Sequence, residues 1–353
     1  MSEATAVGVG GWTRAERARI SGIVAVIAAL HVIGWSLYLS YAHGLAGAGA
    51  FAGAGTLAYS LGIRHAFDAD HIAAIDDTTR LMMQRGRRPV GVGFFFALGH
   101  STVVLTLALV VAAAAGAAGP SVATLRHVGG TVSQVIAMAF LLLVAVLNAL
   151  VLLGVLRLWR RVARGELSAG ELDLLLVNQG LLNRILGPRA RSLIRSSWHM
   201  YPVGILFGLG LETASEITLL ALSASTASAG GLPVLAVLTL PVLFAAGMTG
   251  FDTADSLLMS RAYSWAHRAP VRRLYYNAAT TAMTVLVAAF IGSVYLAGLT
   301  VEATGAGGVL ASYAGLSGHF EVLGYLIVGL FVAAWCVAAA GWRLSGMHRR
   351  YGQ

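Results

Sequence analysis

Along most of this chain, apolar positions run on for 20 or more residues without the polar stripe of a surface helix. A soluble amphipathic helix returns a polar face about every 3.6 residues. Uninterrupted runs predict helices that cross a bilayer, each needing about 20 residues. Eight are expected, at roughly 20–42, 52–80, 91–116, 128–156, 201–226, 233–260, 272–299 and 319–342. The predicted fold class is an all-α integral membrane protein of eight transmembrane helices, with residues 1–353 forming a single polytopic membrane domain.

Composition agrees with this pattern. Of 353 residues, 58% are hydrophobic and 11% charged, against about 25% charged in soluble domains. A soluble globular enzyme is thereby excluded. The net charge of +9 reads as topology. Every basic residue is arginine, and the arginines gather before span 1, between spans 2 and 3, after span 4, after span 6 and after span 8. With eight spans those segments share one face, leaving Arg126 in a loop on the other face and Arg64 inside a span. The positive-inside rule then places both termini in the cytoplasm and the chain in the cytoplasmic membrane. The partners implied are lipid and a small ion, and no nucleic acid. The one cysteine, Cys336, excludes a thiolate cluster.

The one long loop, 157–199, is expected in the cytoplasm. Within it Ser168-Ala-Gly-Glu171 resembles a capping box that opens a Leu-rich amphipathic helix on the inner membrane surface, the alternative being a plain cytoplasmic linker.

Four spans break the apolar rule. Span 2 carries Arg64-His-Ala-Phe-Asp-Ala-Asp-His-Ile72, then Asp76 and Asp77. Span 3 carries Gly99-His-Ser-Thr102, span 5 Leu209-Gly-Leu-Glu-Thr-Ala-Ser-Glu216, and span 6 Gly247-Met-Thr-Gly-Phe-Asp-Thr-Ala-Asp255. Ionisable groups at membrane depth cost about 2.5 kcal/mol or more each, so they pair, face water or bind something. Imidazole with carboxylate and no thiolate suits divalent first-row metals. At about 100° per residue, His65, Asp68 and His71 share one arc of span 2. Arg64 lies four residues before Asp68, close enough to neutralise it. Asp70 points elsewhere on a straight helix, and joins the histidines only if the helix is distorted near Gly62. Glu212 and Glu216 share a face of span 5, as do Asp252 and Asp255 in span 6.

A single buried His or Glu is as often a satisfied structural group as a ligand. Eight acids against one deep arginine are different, because unpaired burial is prohibitive and a cation or protons must compensate. Asp76 and Asp77 are expected near the inner interface without a role. Ser101, Thr102, Thr213 and Thr253 are expected as interhelical hydrogen-bond donors beside the path.

The span 2 segment resembles the signature of the nickel/cobalt transporter (NiCoT) family, with its His-x4-Asp-His core at His65, Asp70 and His71. Leu98-Gly-His-Ser-Thr-Val-Val104 resembles the span 3 signature, and the span 5 and span 6 segments resemble the remaining two, in family order. The chain departs at Glu212, where the family usually has Asp, and at Ser215, where Thr is usual. The resemblance implies a permease importing Ni²⁺ or Co²⁺ as cargo, with no cofactor and no enzymatic activity.

Two three-span units, spans 2–4 and 5–7, are expected to be related by inverted topology. Leu61-Gly62 and Leu209-Gly210 lead their acids in matching order, and transporters bind substrate where such repeats meet. Pro241 favours a kink in span 6. The expected metal ligands are His65 and His71, with Asp70 or Asp68 as carboxylate and His100 as a further candidate. Arg64, Ser101, Thr102, Glu212, Thr213, Glu216, Asp252, Thr253 and Asp255 are expected along the transport path or a proton relay. The chain shows no nucleotide-binding loop, so the expected drive is a membrane potential, a proton gradient or a partner, and no nucleotide-binding subunit is evident from this chain. An efflux permease and a membrane metalloenzyme are the alternatives. Efflux relatives often carry a His-rich loop that this chain lacks, and a zinc protease would need the His-Glu-x-x-His motif, also lacking.

Overall fold

The computed structural model describes residues 12–44, 51, 53–84, 87–113, 119–166, 195–209, 216, 218–220, 222, 223, 233–266 and 270–344. Most of these residues are helical, with no strand among them. In order they form α1 (Arg14–Gly44), α2 (Ala54–His65), α3 (Ala69–Gln84), α4 (Val92–Ala113), α5 (Gly119–Ala163), α6 (Met200–Gly208), α7 (Val234–Ala266), α8 (Pro270–Thr304), α9 (Val309–Ala314) and α10 (Phe320–Leu344).

Five described helices are long and apolar enough to cross a membrane: Arg14–Ala42, Val92–Val110, Gln134–Val162, Val234–Arg261 and Thr281–Thr304. The bent pair Val309–His319 and Val322–Ala334 makes a sixth if it is one span. These correspond to expected spans 1, 3, 4, 6, 7 and 8. Span 5 is represented by α6, and most of the chain between α6 and α7 lies outside the described residues. The expected loop 157–199 starts later, because α5 runs on to Ala163; Ser168 to Glu171 lie outside the described residues. α7 continues through Pro241 without interruption.

Span 2 is broken in two, and the break is written in its residues. Beyond His65 the backbone tightens: the Phe67 and Asp68 amides donate to the carbonyls of Arg64 and His65, three residues back. Asp68 then accepts from the Ile72 amide and starts α3. Aspartate is a favoured residue at a helix N-cap, and Asp70 in the first turn suits the helix dipole. α10 crosses at this break, where a Cβ on Gly324 would strike the Phe67 carbonyl oxygen.

α3 is the innermost element. It is packed among α4, α5, α7, α8 and α10, and residues 68–82 are all buried. Around it, Ile72, Ile75, Phe96, Leu141, Phe207 and Ile291 belong to one apolar core, and a second core joins α1, α2, α4 and α7 through Tyr38, Ala58, Ala97 and Phe244. α1 instead exposes Val24, Val32, Ile33 and Leu37, as a lipid-facing helix does.

Two helix crossings bring backbones into contact through paired glycines. A Cβ on Gly62 of α2 would overlap the Phe244 backbone of α7, and one on Gly247 of α7 would lie 2.7 Å from the Tyr59 carbonyl oxygen of α2. Likewise a Cβ on Gly99 of α4 would overlap the Tyr201 backbone of α6, and one on Gly204 of α6 the Phe96 backbone of α4. Small residues at such crossings are how membrane helices approach closely.

Candidate metal centre

The break in span 2 decides where its histidines point. His65 ends α2 and His71 lies in the first turn of α3. Both turn towards His100 of α4, and one nitrogen from each of the three rings lies within 4.8 Å of the others. The ring centroids are 4.6, 4.8 and 4.9 Å apart. Two ligands on one first-row ion sit at most about 4.2 Å apart, twice a metal–nitrogen bond of about 2.1 Å. A contraction of roughly half an ångström therefore closes the trio on an ion. Phe96 and Phe244 wall the site, their ring centroids 4.8 Å from His71 and 5.5 Å from His65.

Each imidazole is backed by a carboxylate. Asp68 Oδ2 lies 2.7 Å from His65 Nδ1, and Asp252 Oδ2 of α7 lies 3.3 Å from His71 Nδ1. A carboxylate accepts, so Nδ1 of His65 and Nδ1 of His71 each carry a proton and Nε2 of each is the nitrogen left for an ion, as carboxylate–histidine–metal triads require. His65 Nε2 stands 3.1 Å from His100 Nε2. His71 Nε2 is buried with no hydrogen-bond partner among the described residues. His100 Nε2 lies 2.8 Å from Glu216 Oε1, and that oxygen is 3.9 Å from His65 Nε2. Three imidazoles and one carboxylate oxygen thus converge, a nitrogen-rich set suited to late first-row divalent ions.

Several expected placements change. Asp70 does not turn to the trio: its Oδ1 accepts from the His71 amide at 2.9 Å and its Oδ2 from the Tyr295 hydroxyl at 2.7 Å. The common arc of His65, Asp68 and His71 on a straight helix gives way to a chain break that brings the two rings together. Arg64 is exposed near the end of α2, and the Asp68 carboxylate lies against His65.

The deep arginine is Arg80 instead, 2% exposed on α3, its guanidinium donating to Thr281 at 3.0 Å. Asp76 and Asp77, expected near the inner interface, are 1% and 0% exposed. Thr284 donates to Asp76 and Asn148 to Asp77, each at 3.3 Å. Polar Asn148 and the Thr281/Thr284 pair inside otherwise apolar spans were the signal for these partners. Asp255, one turn after Asp252, feels the charges of both Asp252 and Asp76. A polar seam therefore leads along α3 away from the histidines.

Ser101 and Thr253 are buried, and their hydroxyls have no partner among the described residues. Thr102 is exposed and donates to the Leu98 carbonyl at 2.8 Å, with the Tyr201 hydroxyl 3.1 Å away. Glu212 and Thr213 lie outside the described residues.

Residues 51–340 match the family described as high-affinity nickel-transport protein. The chain is 54% identical to the cobalt transport protein NhlF of Rhodococcus rhodochrous, over 92% of this chain and 93% of that one. It is 46% identical to the nickel transporter NicT of Mycobacterium tuberculosis, over 96% and 92% of the two chains. With the high-affinity nickel-transport protein NixA of Helicobacter pylori it shares 40% identity over 90% and 94%. No solved structure matches the chain.

Proposed function

Since this chain belongs to the high-affinity nickel-transport protein family, we propose that it imports Ni²⁺ or Co²⁺ across the cytoplasmic membrane through the three-histidine site. It is a multi-pass membrane protein of a transporter family and not an enzyme. The observation that carries the reading is the convergence of His65, His71 and His100 from three different helices. Asp68 and Asp252 set the histidine tautomers, and Glu216 supplies the oxygen ligand nearest the rings. The ion leaves inward along Asp252, Asp255, Asp76 and Asp77. Arg80, close to the end of this seam, offsets part of its negative charge and so keeps the ion from resting there. A membrane potential, inside negative, is a sufficient drive, since a divalent ion gains about 4.6 kcal/mol per 100 mV, twice the single-charge value.

The eight-span reading with both termini cytoplasmic takes the broken α2–α3 as one span and the segment begun by α6 as another. The paired glycines support inverted repeats. If span 2 corresponds to span 5 and span 3 to span 6, the contact of spans 2 and 6 maps onto that of spans 5 and 3. Gly62 with Gly247 and Gly99 with Gly204 are such a pair of contacts.

The test is accumulation of Ni²⁺ and Co²⁺ by cells, normalised to membrane protein level, for His65→Ala, His71→Ala and His100→Ala. Import raises cell metal and efflux lowers it. Each variant is expected to reach the membrane and to lose uptake. Near-normal uptake by the His65→Ala, His71→Ala double variant would move the site to Glu212, Glu216, Asp252 and Asp255.

A further inference from the structure

Asp70 belongs to the motif that marks span 2, yet neither of its oxygens is directed to the ring nitrogens. Oδ1 takes the His71 amide at the start of α3, and Oδ2 takes the hydroxyl of Tyr295 from α8 at 2.7 Å. Asp70 and Tyr295 are 8% and 6% exposed, and the Tyr295 ring sits edge-on to Phe320 with centroids 5.1 Å apart. The carboxylate is one residue from His71, in the first turn of α3 beside the trio. A rotation about its own side-chain bonds therefore brings it towards the ion. What opposes that rotation is the pair of hydrogen bonds, of which the one from the phenol to a carboxylate is of the short, charge-assisted kind.

We propose that Tyr295 is a specificity-determining positioning residue: its hydroxyl holds the Asp70 carboxylate off the transported ion. This rests on the three-histidine reading above. With Asp70 held, the ion meets three imidazoles and Glu216, a set that favours late divalent ions. With Asp70 released, a second hard oxygen joins. Oxygen ligands suit Mn²⁺ and weaken discrimination against it. Removing the hydroxyl alone leaves a buried carboxylate oxygen without its phenol donor and free to turn to the cargo.

The experiment is initial-rate Ni²⁺ uptake by the full-length protein in liposomes, with rising Mn²⁺ as competitor. Tyr295→Phe keeps the ring on Phe320 and removes only the donor. It is expected to retain Ni²⁺ uptake while the Mn²⁺ concentration that halves uptake falls roughly tenfold, a change of about 1.4 kcal/mol in relative Mn²⁺ affinity. In Ni²⁺ binding to the purified protein, adding Asp70→Asn to Tyr295→Phe returns the Mn²⁺ sensitivity to wild type. Phe320→Leu, which loosens the ring but keeps the hydroxyl, leaves it unchanged. Wild-type Mn²⁺ sensitivity in Tyr295→Phe overturns the inference, and so does loss of its Ni²⁺ uptake. Raised sensitivity that persists in the double variant, or that appears equally in Phe320→Leu, overturns it too. His100→Ala, run alongside, separates the two levels: full Ni²⁺ uptake by that variant sinks the three-histidine reading itself.

Discussion

Asp252→Asn exchanges one oxygen for an amide nitrogen and is expected to turn the protonation of His71 around. Asp252 Oδ2 stands 3.3 Å from His71 Nδ1, and only an acceptor there leaves the proton on Nδ1 and the lone pair on Nε2. An asparagine can present its NH₂ group instead. Nδ1 then accepts, Nε2 carries the proton, and the ion has to displace it. The change adds almost no volume, so packing between α3 and α7 survives. Loss of a partner that orients a metal-binding histidine typically costs 10–100-fold in affinity, about 1.4–2.7 kcal/mol. The buried carboxylate also attracts a divalent ion directly, and its loss pushes in the same direction. Initial-rate uptake at a series of Ni²⁺ concentrations reads the effect as a rise in KM. Equilibrium Ni²⁺ binding to the purified variant separates affinity from turnover. A KM within twofold of wild type, in protein present at wild-type level, would refute the assignment of Asp252 as the residue that sets His71.

The buried Arg80 gives a stability prediction. Arg80→Ala removes the buried cation that lies one helical turn from Asp76 and Asp77 and is expected to destabilise by about 3–5 kcal/mol, with Asp77→Asn recovering part of it; thermal unfolding in detergent shows whether the double variant is as weak as the single. Gly204→Ala sets a Cβ on the Phe96 carbonyl, whereas a Cβ on Gly250 meets only His31 and Ile27 side chains at 3.8 and 4.0 Å. Overpacking against backbone is expected to exceed the usual ~1–3 kcal/mol, so Gly204→Ala protein disappears from the membrane while Gly250→Ala protein remains, and equal levels on a membrane blot contradict the close crossing. A reporter fused after Gln353 is expected to read cytoplasmic; a periplasmic signal removes the eight-span count.

Hydropathy by itself determined that the chain is helical and lies in a membrane, because the bilayer demands long apolar runs with every backbone group bonded internally. The same pattern exposed the exceptions, and the exceptions contain His65, His71, His100, Glu216 and Asp252. What no local pattern carried was the partnership among them. A period of 3.6 residues supposes a straight helix, and span 2 is interrupted after His65. His65 and His71 therefore meet across a break, and Arg64 faces out while Arg80 lies inside. His100 meets Glu216 across 116 positions of chain, and His71 meets Asp252 across 181. Contacts of that range depend on which helices pack together, here through glycine crossings whose backbones touch. Asp70 shows the difference most plainly. Its motif drew it towards the metal, and only the packing of α8 against α3, which puts Tyr295 within 2.7 Å, gave its carboxylate another partner.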